Sequence, residues 1–262
     1  DHRDLHSLRR RQRQMCIRDR FGKGQAVLLN FAPTIESALA EPQLRLLESL
    51  LREAGVKRRY KVVVWERGEY AGGYEIVRYR LGDVICVGLL RNPAYRIAVY
   101  GARSWEDKRV PDTPETVTLR LPHPAHVYDV RAGKYLGYTD SVTVRTEPGD
   151  AFAFSLLPYR VIGMRVDAPR RCVVGGELRF QVKILTDGAS AQTHPLHIAL
   201  LDPSGRPRPE YEWNELAEHG RCTGRIHFAL NDAPGRWRIR VTDALTGVKA
   251  EAETTLTGAE RS

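Results

Sequence analysis

The chain has 262 residues, of which 42% are apolar, and its formal net charge is +9. This length allows two domains and part of a third, and the apolar fraction is large enough to bury real cores. No apolar run approaches the roughly 18 residues that a membrane-spanning helix needs, so the sequence predicts no membrane span. A positive net charge favours a nucleic-acid partner only where it is concentrated, and its distribution therefore decides that question.

The positive charge is concentrated at the start of the chain. Residues 1–20 contain seven Arg and three Asp, a charge of +4, which leaves +5 for the rest. The segment has no apolar centre and is not a signal peptide, and its tail QMCIRDR resembles the translated read-through of a sequencing adapter in genes assembled from environmental DNA. We predict a non-native or disordered segment. The alternative is a basic nucleic-acid-binding arm, and no nucleic-acid partner is predicted for the remaining chain.

Residues 21–59 have the pattern of one strand followed by one helix. Residues 26–31 form a near-continuous apolar run, which is typical of a strand covered on both faces. In residues 42–54 leucines recur at spacings of three and four, and Gly55 is a good helix stop. We predict the end of an α/β domain. A dinucleotide-binding loop follows its strand, whereas Gly22-Lys23-Gly24 precedes this one, so no cofactor is predicted.

From residue 60 the chain changes to short strands separated by Pro and Gly. Residues 60–160 are predicted to form an antiparallel β-sandwich around the hairpin 125–138, in which Gly133 supplies the turn. Residues 161–258, with six or seven strands, are predicted to form an immunoglobulin-like β-sandwich. The predicted fold class is mainly β, with two consecutive antiparallel β-sandwiches preceded by a short strand–helix remnant of an α/β domain.

Several stretches resemble parts of a known enzyme family. The run Gly22 to Phe31 and the leucine-rich helix after it resemble the end of the trimerisation domain of β-galactosidases of glycoside hydrolase family 42. Residues 60–158 are similar to the C-terminal β-sandwich of such proteins, and the last unit is similar to accessory immunoglobulin-like domains of secreted bacterial proteins. The likeness rests on Gly82-Asp83, Gly88-Leu89-Leu90-Arg91, His126 to Val130, Gly137-Tyr138, and residues 200–205 and 229–237.

This resemblance implies a non-catalytic C-terminal structural or accessory region that packs or spaces a catalytic module. The family's two catalytic glutamates lie on a barrel that this sequence does not contain, so no catalytic residue is carried over and the chain is not expected to be an enzyme. The expected partners are the catalytic and α/β domains upstream in the same protein, with oligomerisation through the missing domain. The compartment is left unknown, with an extracytoplasmic location favoured.

Acidic residues are candidates for a catalytic pair. Glycoside hydrolysis needs two carboxyl groups roughly 5 to 9.5 Å apart. Glu66, Glu69 and Glu75 surround a glycine-rich turn, and Asp129 and Asp140 flank the central hairpin. Turn chemistry or a solvated strand face explains each of them, so no catalytic pair is predicted.

Histidines and cysteines give no metal signature. The motifs at residues 123–126 and 194–197 each place two His three positions apart, but the Pro between them excludes a helix that would bring both onto one face. No metal site is therefore predicted. Cys172 and Cys222 could pair if their strands are adjacent, which the sequence leaves open.

Aromatic residues suggest an alternative function, in which the chain is a carbohydrate-binding β-sandwich module with its own ligand. Trp105, Trp213 and Tyr211 lie in polar stretches and are the candidate sugar-binding residues, although packing against a neighbouring domain is the favoured role. Trp65 and Trp237 continue apolar strand patterns and are predicted to be core residues.

Overall fold

The computed structural model describes residues 16–21, 24–29, 40–66, 68, 71, 73–92 and 113–258. The chain divides into two compact units, one of residues 1–58 and 93–111 and the other of residues 59–92 and 112–262. No helix among the described residues is long and apolar enough to span a membrane. The fold is mainly β, as predicted, and the described residues contain the single helix α1.

The first unit contains a two-stranded antiparallel sheet. Strand β1 (Cys16–Phe21) pairs with β2 (Gly24–Leu29) in the register Cys16↔Leu29. Strand β1 falls in the segment for which no structure was predicted. The side chain of Leu28 is 62% exposed, so β2 is not covered on both faces as its apolar run suggested.

The helix α1 (Ala40–Glu53) follows in the same unit. Leu47 and Leu50 are half-buried, as expected for the apolar face of an amphipathic helix. Gly55 ends it with a positive φ of 80° that L side chains rarely adopt, and its N–H donates to the Arg52 carbonyl. The helix therefore ends where the sequence predicts.

The second unit begins with a six-stranded antiparallel sheet, here called the first β region. Its strands are β3 (Lys61–Val64), β4 (Tyr74–Leu81), β5 (Val84–Arg91), β6 (Glu115–Asp129), β7 (Lys134–Thr146) and β8 (Ala151–Leu157). Their order in the sheet is β3-β6-β8-β5-β4, with β7 paired to β6. The long β6 pairs with β3 through its first half and with β8 through its second.

A buried polar cluster joins β4 and β5 to the ends of β6 and β7. Arg91 donates to the carbonyls of Thr113 and Thr146 at 3.1 and 2.8 Å, and its guanidinium lies 3.4 Å from Glu115. The Tyr74 hydroxyl donates to Glu115 at 2.8 Å. The sheet thereby encloses its own apolar core, which includes Val62, Val87, Leu89, Val117, Leu119, Val127, Phe154 and Leu156.

The rest of the second unit, here called the second β region, is a sandwich of two sheets. Its strands are β9 (Arg160–Asp167), β10 (Arg171–Val173), β11 (Glu177–Asp187), β12 (His194–Leu201), β13 (Pro207–Ala217), β14 (Arg221–His227), β15 (Gly235–Asp243) and β16 (Lys249–Thr257). The five-stranded sheet has the order β10-β16-β15-β12-β13, and the three-stranded sheet has the order β14-β11-β9. All pairs are antiparallel except β10 with β16.

Strict alternation builds the sandwich core. Along β11, Leu178, Phe180, Val182 and Ile184 are buried while the residues between them are exposed. They share a core with Leu196, Ile198, Leu200, Trp237, Ile239 and Val241 of the five-stranded sheet. Both β regions lie in one compact unit, and the predicted boundary near residue 160 stays a prediction.

Candidate functional site

The two β regions meet in a junction built from turns and shared core. Val84, Tyr128 and Leu157 of the first β region belong to the same buried cluster as the core of the second. The β6–β7 turn lies directly on the β15–β16 turn. A Cβ at Gly247 would lie 2.3 Å from the Cα of Gly133, so the backbones can meet this closely only because residue 247 is a glycine.

His194 is the centre of a polar chain through this junction. Its side chain and that of Asp243 are 0% and 1% exposed. The imidazole Nδ1 lies 3.0 Å from both carboxylate oxygens of Asp243, and Nε2 lies 2.9 Å from the Tyr159 hydroxyl. Because a carboxylate only accepts hydrogen bonds, Nδ1–H donates to Asp243, and in the neutral imidazole Nε2 then accepts the Tyr159 proton.

The remaining polar atoms of the chain are also satisfied. The Asp243 carboxylate accepts from the Leu245 N–H at 3.2 Å and from the Thr246 hydroxyl. The Tyr159 oxygen accepts the Gln192 N–H at 2.7 Å. Burial raises the pKa of the Tyr159 phenol, which therefore stays protonated at neutral pH. A buried network in which every member has a partner fixes one geometry.

Two further hydrogen bonds connect the six-stranded sheet to the second β region. Ser155 of β8 is buried, and its hydroxyl donates to the Leu245 carbonyl, next to Asp243. The Tyr128 hydroxyl accepts the Val161 N–H at 2.8 Å, and burial raises the pKa of this phenol too. The junction thus combines apolar packing, a glycine contact and several buried hydrogen bonds.

The order hydroxyl, imidazole, carboxylate is that of a catalytic triad, in which the base activates a nucleophile and the carboxylate orients the base. A nucleophile must reach substrate. Tyr159 is 1% exposed, and His194 and Asp243 are buried with it. This arrangement therefore holds structure together and offers no surface for a substrate.

The predicted sugar-binding residues that the structure describes are half-buried on β13. Trp213 meets the ring of Phe180 edge-on, with 6.2 Å between ring centroids. Tyr211 donates to the Asp232 carboxylate and lies edge-on to Trp237 at 6.0 Å. Both rings pack against the sandwich core, so each exposes only part of its surface. Trp105 lies outside the described residues. Carbohydrate contact stays a prediction for all three.

The two tryptophans predicted to be core residues, Trp237 and Trp65, differ in their burial. Trp237 is fully buried, as predicted, and its indole N–H donates to the Ala233 carbonyl at 2.9 Å. Trp65 is 61% exposed, so the prediction was wrong for it. Val62 is buried and Val64 is half-buried, both packing into the core, so Trp65 falls on the outward parity of the strand.

The candidate carboxylates have local roles. Asp129 accepts the N–H groups of Arg131 and Ala132 at 3.0 Å each, which stabilises the central turn. Glu75 accepts a hydrogen bond from the Asn92 side chain. Glu66 and Asp140 are exposed, and Glu69 lies outside the described residues.

The thiols and histidines likewise form no metal site among the described residues, which contain no group of three His, Cys, Asp or Glu side chains placed to hold a metal ion. Cys86, Cys172 and Cys222 are free thiols. Cys172 lies on β10 and Cys222 on β14, in different sheets of the sandwich.

His126 contacts the Tyr135 hydroxyl through Nδ1 at 2.8 Å.

Comparisons with known proteins give partial likenesses. No protein-family model and no curated protein matches the chain. A β-glucosidase from Listeria innocua is similar over 44% of this chain and 18% of its own, at 17% identity and a TM-score of 0.29. A glycosyl hydrolase family 2 member from Bacteroides cellulosilyticus is similar over 68% of this chain and 29% of its own, at 10% identity and a TM-score of 0.28.

A superoxide reductase (neelaredoxin) from Ignicoccus hospitalis is similar over 37% of this chain and 82% of its own, at 12% identity and a TM-score of 0.28. The structural neighbours thus include glycosidases at low identity. The chain spans less than a third of the length of the β-glucosidase and of the family 2 glycosyl hydrolase. At these TM-scores the likenesses assign no family.

Proposed function

We propose that this chain is a non-catalytic structural region of a β-galactosidase-like glycoside hydrolase, in which the two β regions act as one rigid body that packs or spaces the catalytic module. The resemblance of the sequence motifs supports the family. The observation that carries the structural role is the fully buried chain Tyr159–His194–Asp243 at the junction.

Buried hydrogen bonds are the physical reason for rigidity. Interfaces between domains of one chain are commonly polar and hydrated, and relative motion is then the default. Here any opening of the junction would break the hydrogen bonds from Ser155 to the Leu245 carbonyl and from the Val161 N–H to the Tyr128 hydroxyl, beside the buried Tyr159–His194–Asp243 chain. Because these buried polar groups would lose their partners together with the shared apolar core, the two regions are expected to unfold together.

The experiment is calorimetric unfolding of the whole chain and of Asp243→Asn. Asparagine keeps one acceptor oxygen but places an NH₂ group where the other oxygen accepts hydrogen bonds, so we expect a loss of roughly 1–3 kcal/mol and a second transition. Asp167→Asn, an exposed carboxylate paired with Arg165, is the matched control and should leave a single transition. Two independent transitions in the unaltered chain would contradict the proposal.

The non-catalytic part of the proposal has its own test. Among the described residues, the triad-like group is buried and the acidic candidates hold turns or lie on solvated faces. The purified chain is therefore expected to release no nitrophenol from aryl glycosides above the buffer rate. Turnover that disappears when one carboxylate of this chain is changed to its amide would show that the chain is an enzyme. The gene region upstream tests the family: a (β/α)₈ barrel supports it, and an unrelated domain refutes it.

A further inference from the structure

The outer face of the three-stranded sheet carries two rows of cations. In the first row Lys183 of β11 lies between Arg221 of β14 and Arg165 of β9, each directly opposite it in the ladder. In the second row Arg179 lies opposite Arg225. All five side chains are exposed. We call these five residues the basic face.

Few carboxylates neutralise this face. Asp167 pairs with Arg165 at 2.8 Å, and Glu177 pairs with Arg179. Among the described residues, no carboxylate forms an ion pair with Lys183, Arg221 or Arg225. In the rows from Glu177 to Lys183 of β11, five cations against two carboxylates leave an excess of three positive charges.

The five-stranded sheet provides an internal comparison. On its outer face Arg236 pairs with Glu253 at 3.7 Å, and Arg238 and Arg240 pair with Glu251 at 3.5 and 2.6 Å. Each of these three arginines thus has a glutamate partner on the neighbouring strand, and Glu251 serves two of them. The basic face departs from that pattern.

The arrangement is unfavourable for folding alone. Neighbouring strands lie about 4.8 Å apart, and like charges directly opposite each other in a ladder are destabilising. Lys183 has such a neighbour on each side. A bound polyanion would neutralise these charges. Binding of an anion therefore explains an arrangement that does not favour folding.

We propose that the basic face binds a linear acidic polysaccharide, a chain of sugars with carboxylate groups along its length. Between the two cation rows lies a row of Thr223, Gln181 and Asp167, whose hydroxyl, amide and carboxylate groups suit the hydroxyls of sugars. The rows are four residues apart on β11, or about 13 Å, so an occupant would span several sugars.

The same face is poorly suited to single-stranded nucleic acid. Proteins that bind single strands stack bases on aromatic side chains. None of the cation rows or the row between them contains an aromatic residue. The basic face is also separate from Trp213 and Tyr211, which lie on β13 of the other sheet.

The test measures binding of polygalacturonate, which carries one carboxylate per sugar, to the whole chain at several salt concentrations. A row variant, Arg165→Gln with Lys183→Gln and Arg221→Gln, removes the first row. The matched control, Arg236→Gln with Arg238→Gln and Arg240→Gln, removes the same charge from the other face. Both keep the basic residues 1–20, so that segment cannot account for a difference. An uncharged glucan and short duplex DNA are measured beside them.

We expect polygalacturonate binding that weakens with salt, falls at least about tenfold in the row variant and is nearly retained in the control. We also expect the row variant to unfold at the same or higher denaturant concentration than the unaltered chain, since a repulsion is removed. Equal losses in the two variants, equal binding of the uncharged glucan, tighter binding of duplex DNA at the same salt, or destabilisation of the row variant would each overturn the proposal. So would a lack of any polygalacturonate binding by the unaltered chain.

Discussion

At the scale of single residues, Gly224 is the position where the sandwich core tolerates no side chain. It lies opposite Phe180 in the ladder of β11 and β14, and a Cβ there would lie 2.1 Å from the ring atom Cζ. Gly224→Ala must displace the ring, so we expect a loss of about 1–3 kcal/mol in the free energy of unfolding, measured by denaturant titration.

The control for this change is Gly163→Ala on β9. Its nearest contact would be the Leu185 methyl group at an ordinary 3.8 Å, and its backbone is not left-handed, so stability should change little. Adding Phe180→Leu to Gly224→Ala should recover part of the loss by making room. Equal effects of the two glycine substitutions would show that the ring does not occupy this space.

His126 gives a pH-dependent prediction. Burial lowers the pKa of its imidazole below the usual value, and the nearby Arg160 lowers it further, with Asp187 opposing. The folded state therefore binds this proton less readily than the unfolded state. Its contribution to stability is complete above the pKa of the unfolded state, and is lost as the pH falls below that value through the lowered pKa of the folded state.

Nuclear magnetic resonance titration of the ring protons measures this pKa directly. Arg160→Gln should raise it, because one cation that repels the protonated ring is removed, while Arg165→Gln further along β9 should not. A His126 pKa at or above the value of an exposed histidine in the same spectrum would refute the prediction.

At the scale of elements, strands with regular alternation were predictable and irregular ones were not. The pattern of β11 predicts its buried and exposed residues correctly. The sequence pattern does not predict β13, because Pro207, Pro209 and a series of charges break its alternation, which an edge strand tolerates. Although Pro is predicted to separate the short strands after residue 60, β6 continues past Pro122 and Pro124 through an irregularity between Arg120 and Ala125, where regular pairing with β7 is absent.

The polar chain of the junction could not have been predicted from the sequence. Tyr159 and His194 are 35 positions apart, and His194 and Asp243 are 49 apart. No local pattern connects them, since only the tertiary packing of β12 and β15 brings the side chains together. The motif at residues 194–197 excluded a helical metal site but gave no sign that His194 is completely buried.

The two-stranded sheet β1–β2 should be the least stable element of the described chain. An isolated two-stranded sheet is marginal in water, and Leu28 is largely exposed. Amide hydrogen exchange of Val27, Leu28 and Leu29 is expected to be much faster than that of Val127 and Phe180, which lie in buried sheets. Protection of β2 equal to that of the two cores would mean that this strand folds as part of them.

At the scale of the whole molecule, the contact of the β6–β7 turn with the β15–β16 turn is the most direct link between the two β regions. The hairpin 125–138 of the first β region therefore contacts the second β region through its turn. Gly247 and Gly133 touch through backbone atoms, which cannot move aside as a flexible side chain would. A substitution there therefore tests the junction without altering the polar chain.

Gly247→Ala adds a methyl group 2.3 Å from the Gly133 Cα, at a left-handed φ of 73°. The matched variant Gly188→Ala has a φ of 91° with open space around it, so it carries only the backbone cost of roughly 1–2 kcal/mol. We expect Gly247→Ala to cost at least about 1 kcal/mol more than Gly188→Ala in denaturant unfolding. We also expect it to separate the unfolding of the β regions into two calorimetric transitions. If the two variants lose the same stability and both keep one transition, the turn contact does not hold the two β regions together, and their joint unfolding must come from the shared core and buried hydrogen bonds alone.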